Sequence, residues 1–239
     1  MRYAELAGKV VVVTGGNSGM GRGIAEAFLA QGAKVIVGDV NGTPVPEVLF
    51  HRTDVSQPEQ VRALVNRATE SFGRLDVLVN NAGINGALVP LAEQPETSID
   101  AVLGVNLKGV IYGLKCGLLV MSRQRGGVIV NIASVQGMRP IYAGASIYAA
   151  SKAAVVSLTR SAAHEYGEYG IRVVALAPGP IDTPMLRAAD PRGAIVDAVP
   201  LHRIGTPNDV AAAVVWLASD AASYVSGVLL PVDGAFMAA

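Results

Sequence analysis

Tyr148 and Lys152 stand four residues apart in the stretch Ser146-Ile147-Tyr148-Ala149-Ala150-Ser151-Lys152, a spacing that puts both side chains on one face of a helix. A phenol titrates near ~10 in water, so it is a poor base at neutral pH unless a neighbouring cation stabilises its phenolate. Lys152 is placed to be that cation, and the pair can then exchange a proton with an alcohol or carbonyl oxygen. Alone the pattern is weak, because a half-buried tyrosine beside a solvated lysine has the same spacing. Two rival hydroxyls lie close by. Tyr142 has Ser146 where a lysine would be needed, and Ser146 itself sits two residues before Tyr148, off its helical face.

A second group of residues follows the first apolar run. Thr14-Gly15-Gly16-Asn17-Ser18-Gly19-Met20-Gly21 leads directly into Ile24, Ala25, Phe28 and Leu29 at helical spacing. Strand, glycine turn and helix start together make an anion site, in which Gly15, Gly19 and Gly21 let the backbone approach a pyrophosphate and the helix amides face it. Asn17, Ser18 and Met20 belong to the same turn. The spacing is T-G-x-x-x-G-x-G rather than the commoner G-x-G-x-x-G. Asp39, followed by Val40, ends the next apolar run where a ribose-binding acid is expected. Its carboxylate would accept hydrogen bonds from an adenine-ribose diol and repel a 2′-phosphate. Neither Val40 nor Asn41 supplies a cation, which favours NAD(H) over NADP(H). Asp54-Val55 could meet the adenine in the same crevice, although helix capping explains Asp54 nearly as well.

The elements that must position these groups are legible as short Val/Ile/Leu-rich runs at 10–13, 35–37, 75–79, 128–132, 173–176 and 228–232, with 48–50 a weaker candidate. Continuous apolar runs suit strands buried on both faces of a parallel sheet, and their alternation with helical segments predicts a doubly wound, Rossmann-type α/β fold. Ser56-Gln57-Pro58-Glu59 reads as a capping box ahead of Val61, Leu64, Val65, Ala68 and Phe72, and Thr206-Pro207-Asn208-Asp209 starts the last helix. No repeat or linker divides residues 1–239, so one domain is expected.

Composition narrows the functional class. The chain is 51% hydrophobic and 16% charged, and nineteen basic residues balance nineteen acidic ones. This argues for a compact core and against a nucleic-acid or anionic-membrane partner. The first nine residues carry Arg2, Glu5 and Lys9, unlike a signal peptide, and no uninterrupted apolar run reaches the eighteen or so residues of a membrane span. With Cys116 the only cysteine, and expected to be buried, the protein is expected in the reducing cytoplasm. His51, His164 and His202 are scattered, so no zinc-ligand cluster is visible and no metal is expected.

With Asn80-Asn81-Ala82-Gly83, Asn106, Asn131-Ile132-Ala133-Ser134, Tyr148 with Lys152, and Pro178-Gly179-Pro180-Ile181-Asp182-Thr183 in this order, the chain resembles the classical short-chain dehydrogenase/reductase family from the first strand to Val232-Asp233-Gly234. The resemblance implies a seven-stranded sheet with helices on both faces, a nicotinamide cofactor, metal-free hydride transfer and a homotetramer. It also implies roles. Ser134 would hydrogen-bond the substrate oxygen, Tyr148 would exchange its proton, and Lys152 would bind the nicotinamide ribose while lowering the Tyr148 pKa. Asn106 would hold a water linking Lys152 to solvent. Asn81, Ala82 and Gly83 would line the cofactor, Pro178, Gly179 and Ile181 would hold the nicotinamide, and Thr183 would touch the diphosphate or amide. Ser134 as a mere turn residue and Asn106 as a satisfier of backbone groups remain rival readings.

Three departures from the family pattern stand out. Asn41-Gly42-Thr43-Pro44-Val45-Pro46 is too short and proline-rich for the usual crossover helix, the Ser134 to Tyr148 interval is one residue wide, and Ala235 replaces a common glycine. Substrate choice is expected in residues 84–97, 136–147 and 183–203, with Met138, Ile141, Tyr142, Met185, Leu186 and Val199 as pocket candidates and Arg139 as a possible anion contact. The leading expectation is an NAD(H)-dependent dehydrogenase of a small-to-medium secondary alcohol or its ketone. A 3-oxoacyl-thioester reductase is the alternative, and a non-catalytic nucleotide sensor a third.

Overall fold

The computed structural model describes residues 2–42 and 45–238. Strands β1 (Val10–Thr14), β2 (Lys34–Asp39), β3 (Leu49–Arg52), β4 (Val77–Asn80), β5 (Gly127–Ile132), β6 (Ile171–Pro178) and β7 (Leu229–Val232) form one sheet, ordered β3-β2-β1-β4-β5-β6-β7, with every neighbouring pair parallel. The weak candidate at 48–50 is a true strand displaced by one residue, running from Leu49 to Arg52.

Two apolar clusters explain why the strand runs are continuous. Val11, Val13, Val35, Val37, Val77 and Val79 face helices α1 (Gly19–Ala30) and α7 (Pro207–Ala218), whereas Val10, Val12, Ile36, Leu78 and Ile129 face α2 (Pro58–Phe72), α4 (Gly109–Gln124) and α5 (Ser146–Tyr166). Alternate side chains leave a strand on opposite faces, so a sheet covered twice needs an apolar residue at every position. The chain between β2 and β3 forms no helix among its described residues, as its prolines imply; Thr43 and Pro44 lie outside them.

Thr206 and Asp209 close the expected capping box at α7, where Arg203 also pairs with Asp209 and, with the Thr206 hydrogen bonds, holds its carboxyl well below the usual range. The box expected at Ser56 does not form. Gln57 is the N-cap of α2 and makes no side-chain cap, because Asp54 Oδ1 engages both the amide and the hydroxyl of Ser56, at 2.9 and 2.8 Å. Cys116 is partly rather than fully buried.

Between α3 (Glu96–Val102) and α4 the helix widens into a π-helical segment, Leu103–Lys108, closed by the Gly109 N–H donating to the Gly104 carbonyl five residues back. The whole stretch Glu96–Gln124 is long and apolar enough, by length and composition, to cross a bilayer. Lys108 and Lys115 interrupt it, and Val110, Leu114, Leu118 and Met121 are buried against the sheet, so it serves as part of the sheet's cover.

Candidate active site

The sheet order reverses between β1 and β4, and the crevice at such a switch point is where open α/β sheets bind ligands. Thr14 fastens its two lips: its Oγ1 accepts the amides of Asn81 and Ala82 at 3.0 and 3.1 Å, while Asn81 Nδ2 donates to the Thr14 and Gly15 carbonyls at 2.9 and 3.0 Å. Gly15 adopts φ +64°, and a Cβ on Gly21 would lie 2.0 Å from the Gly15 carbonyl oxygen. The cradle thus has room for backbone only. Gly21→Ala must displace the turn, and we expect it to weaken NADH binding at least about tenfold, the scale of an overpacking strain of 1–3 kcal/mol. Fluorescence titration checks this, and unchanged affinity would count against the cradle.

A cavity of about 300 Å³ opens over this turn. It is lined by Gly15, Ser18, Gly19, Met20, Gly21, Asp39, Val40, Asp54, Val55, Asn81, Ala82, Gly83, Tyr148, Lys152 and Thr183, all singled out from sequence, and by Thr53, Ile84, Val105, Ile132 and Met185, which were not. Asn17 does not line it. Its amide donates to Asp39 Oδ2 at 3.0 Å and its side-chain Nδ2 to the Asn41 carbonyl, so it braces the acid from behind, while its buried Oδ1 has no partner among the described residues. Asp39 Oδ1 also accepts the Asn41 amide at 3.0 Å, which aims the carboxylate. Asp54 both serves Ser56 and reaches the cavity wall, so the capping and lining readings hold together. Two carboxylates thus line this cavity, and Lys152 is the only cationic residue on its described walls.

Lys152 is 3% exposed. Its Nζ donates to the Ile132 carbonyl at 2.8 Å and lies 5.7 Å from the Tyr148 ring centre. Burial lowers it to about 8. The expected lowering of Tyr148 by this ammonium is not what the environment produces. Burial pushes the Tyr148 phenol above its ordinary value, and a hydrogen bond with the Ser134 side chain is the opposing influence. Ser134 is also a turn residue, since its Oγ accepts the Gln136 amide at 3.1 Å. Asn106, fully buried in the π-helical segment, accepts the Ile84 amide at 2.8 Å and donates to the Ile84 carbonyl at 2.9 Å and Ser151 Oγ at 3.3 Å. Its backbone-satisfying role is therefore real, though it serves the Ile84 loop rather than its own helix. Ser146 is exposed and stands apart from both cavities.

Tyr148, with Met20, Ala133, Thr183 and Met185, also borders a second, mostly apolar cavity of about 320 Å³. Asn85 and Leu88, Gln136 to Ala145, and Thr183 to Ala189 supply its walls, together with Ser134 and the loop residues Pro178, Gly179 and Ile181. Gln94 staples two of these segments, donating to the Ala87, Val89 and Gly144 carbonyls at 2.9–3.1 Å. Ile141, Tyr142, Met185 and Leu186 line the cavity as expected, but Met138 and Val199 do not. Met138 is 46% exposed, and Val199 is buried in a separate cluster with Val135, Ala177 and Phe236. Phe236, from the tail, reaches the cavity wall and was missed; no short motif marks it. Arg139 stands outside this cavity.

A family model described as enoyl-(acyl carrier protein) reductase matches residues 15–236. Levodione reductase of Leifsonia aquatica is 42% identical over 97% of this chain and 95% of its own, and its crystal structure superposes with a TM-score of 0.92 over 98% and 99% of the two chains. The 2,5-dichloro-2,5-cyclohexadiene-1,4-diol dehydrogenase of Sphingobium indicum is 41% identical (98% and 99% covered), and the cis-4-hydroxycyclohexanecarboxylate dehydrogenase of Sinomonas cyclohexanicum 42% (96% and 97%). A structure titled ElxO with NADP bound is 31% identical, with a TM-score of 0.90 over 97% and 100% of the chains. Matched along nearly its whole length in sequence and in fold, the chain belongs to the short-chain dehydrogenase/reductase family.

Proposed function

We propose that the chain is an NAD(H)-dependent oxidoreductase that interconverts a small-to-medium secondary alcohol and its ketone, with Tyr148 as acid and base. The position of Tyr148 carries this reading, because it borders both cavities, with Lys152 on the nucleotide side and Ser134 on the apolar side. The family uses a nicotinamide cofactor, which when bound supplies or accepts the hydride. In reduction the Tyr148 phenol gives its proton to the carbonyl oxygen held by Ser134; in oxidation its phenolate removes the hydroxyl proton. Lys152 supplies the positive charge against which that phenolate forms and holds the nicotinamide ribose. Asn106 fixes the backbone at Ile84 and holds the water through which Lys152 exchanges protons with solvent.

The glycine turn with Ser18 and Met20 takes the pyrophosphate, joined by Thr183. Asp39 and Val40 take the adenosine ribose, and Asp54 and Val55 the adenine. Asn81 to Gly83 line the cofactor's inner end, and Pro178, Gly179 and Ile181 hold the nicotinamide. Asp39, aimed by two backbone amides, supports NAD(H) over NADP(H), and Asp39→Ala should move the ratio of NADPH to NADH affinity by at least about tenfold towards NADPH, the worth of one charge-assisted contact. An unchanged ratio would place ribose discrimination elsewhere. Residues 1–239 act as one dinucleotide-binding and catalytic unit, with substrate loops at 84–97, 136–147 and 183–203. The cyclohexane-type rings in the relatives' names and the apolar cavity support a ring alcohol or ketone. Ile111 and Leu119, exposed on α4, support assembly into a homotetramer.

The test is NADH and NADPH fluorescence titration of the purified protein, followed by turnover of a panel of secondary alcohols, ketones and one 3-oxoacyl thioester. Tight NADH binding with turnover of ring alcohols supports the proposal. Preference for NADPH, or for the thioester, overturns it.

A further inference from the structure

The apolar cavity holds one phenol that proton transfer does not use. Tyr142 lies on its wall, in the interval that is one residue longer than the family's common spacing, and is near enough to Tyr148 for each phenol to feel the other's charge. Its backbone is fixed. Gln136, 6% exposed, accepts the Ile141 amide at 2.9 Å and the Tyr142 amide at 3.4 Å through Oε1, while its own amide donates to Ser134 Oγ. One buried glutamine therefore sets Tyr142 relative to Ser134. The other polar side chains on these walls are mostly committed: Thr183 Oγ1 donates to the Ile181 carbonyl and accepts the Leu186 amide, and Gln136 Oε1 is taken up by the two amides. No hydrogen bond to the Tyr142 hydroxyl forms among the described residues. A phenol held at the wall of an apolar cavity without a partner is a donor set aside for a ligand, since such a group loses its water when the cavity fills.

We propose that Tyr142 is a specificity-determining residue that hydrogen-bonds a second, uncharged oxygen of the substrate, so that the preferred substrate is a ring alcohol or ketone carrying another hydroxyl or carbonyl away from the reacting carbon. This rests on the oxidoreductase reading above. The requirement for an uncharged group comes from Asp190. Its carboxylate is held near Tyr142 by the Ala194 and Ile195 amides, at 3.1 and 2.9 Å, and acts on the phenol together with burial to keep it protonated. A neutral phenol donates well to a hydroxyl or carbonyl oxygen, and the same carboxylate repels a second negative charge brought beside it.

The experiment compares cyclohexanol, cyclohexane-1,4-diol and cis-4-hydroxycyclohexanecarboxylate as substrates of the wild type and of Tyr142→Phe, with NAD+ saturating. The wild type should prefer the diol to both others in kcat/KM. Tyr142→Phe should lower the diol-to-cyclohexanol ratio about tenfold, the scale of one substrate hydrogen bond, with the change lying in KM rather than kcat. A purely structural defect would lower turnover of all three together and leave that ratio unmoved, and this result overturns the proposal. Wild-type preference for the carboxylate overturns the requirement for an uncharged group. Absence of turnover of all three by the wild type sinks the ring-alcohol reading itself, which separates the two failures.

Discussion

Tyr148→Phe should lower kcat by about 10²–10⁴-fold, the usual worth of a positioned general acid or base, while NADH affinity stays within about threefold. The substitution removes one oxygen from a side chain that is otherwise enclosed, so the ring still fills its place between the two cavities. The pH profile offers a second readout. Burial raises the phenol, so the protonated form predominates at neutral pH and ketone reduction should proceed there without a titration step from Tyr148. Alcohol oxidation needs the phenolate and should accelerate as pH rises. Stopped-flow absorbance at 340 nm separates this chemical step from binding. A Phe variant that retains near-normal turnover would remove Tyr148 from the proton path.

The second large effect concerns stability. Lys152 ordinarily titrates at 10.5 and is brought to about 8 by burial, a difference equivalent to about 3 kcal/mol. Below pH 8 the folded chain carries a buried ammonium that the unfolded chain solvates freely, so the cost is fully present. Between pH 8 and 10.5 the unfolded state still holds a proton that the folded state has released, and stability rises with pH. Lys152→Met escapes this cost. The stability of the variant relative to wild type should therefore shrink by up to about 3 kcal/mol between pH 7 and pH 10.5, as measured by urea unfolding at each pH. Loss of the donor to the Ile132 carbonyl affects the variant at every pH and leaves the trend intact. The same substitution should abolish most activity. A pH-independent difference would show that the ammonium is not held at a cost. Functional sites commonly carry such a cost.

The parts of the molecule most legible in the sequence are those fixed by local constraint. Val10 to Val13 read as a doubly buried strand because each side chain must meet one of two helix layers. Gly15 and Gly21 read as a cradle because a side chain at either would strike the backbone. What escaped depends on which way a loop lies. Asn17 sits in the glycine turn yet folds behind Asp39, and Val199 is apolar like Leu186 yet belongs to a separate cluster closed by Phe236. Ser56 had the right neighbours for a cap but was captured by Asp54, a competition that spacing cannot weigh. The Tyr148 pKa was misjudged for a related reason: four-residue spacing reports proximity to Lys152 but says nothing of how deeply both groups are buried.

The π-helical segment Leu103–Lys108 has a bearing on what changes this chain can accept. Upstream of it the helix faces the loops over the site, and downstream sixteen residues of α4 are phased to lay Val110, Leu114, Leu118 and Met121 on the sheet. Removing one residue from the wide turn would restore an ordinary helix but rotate all that follows by about 100°, carrying that apolar stripe off the sheet. Adding one would turn it the opposite way. Individual side chains in this segment are free to vary wherever they do not touch Ile84 or Ser151, but its length is not: single-residue insertions and deletions between 103 and 108 are the changes this architecture tolerates least.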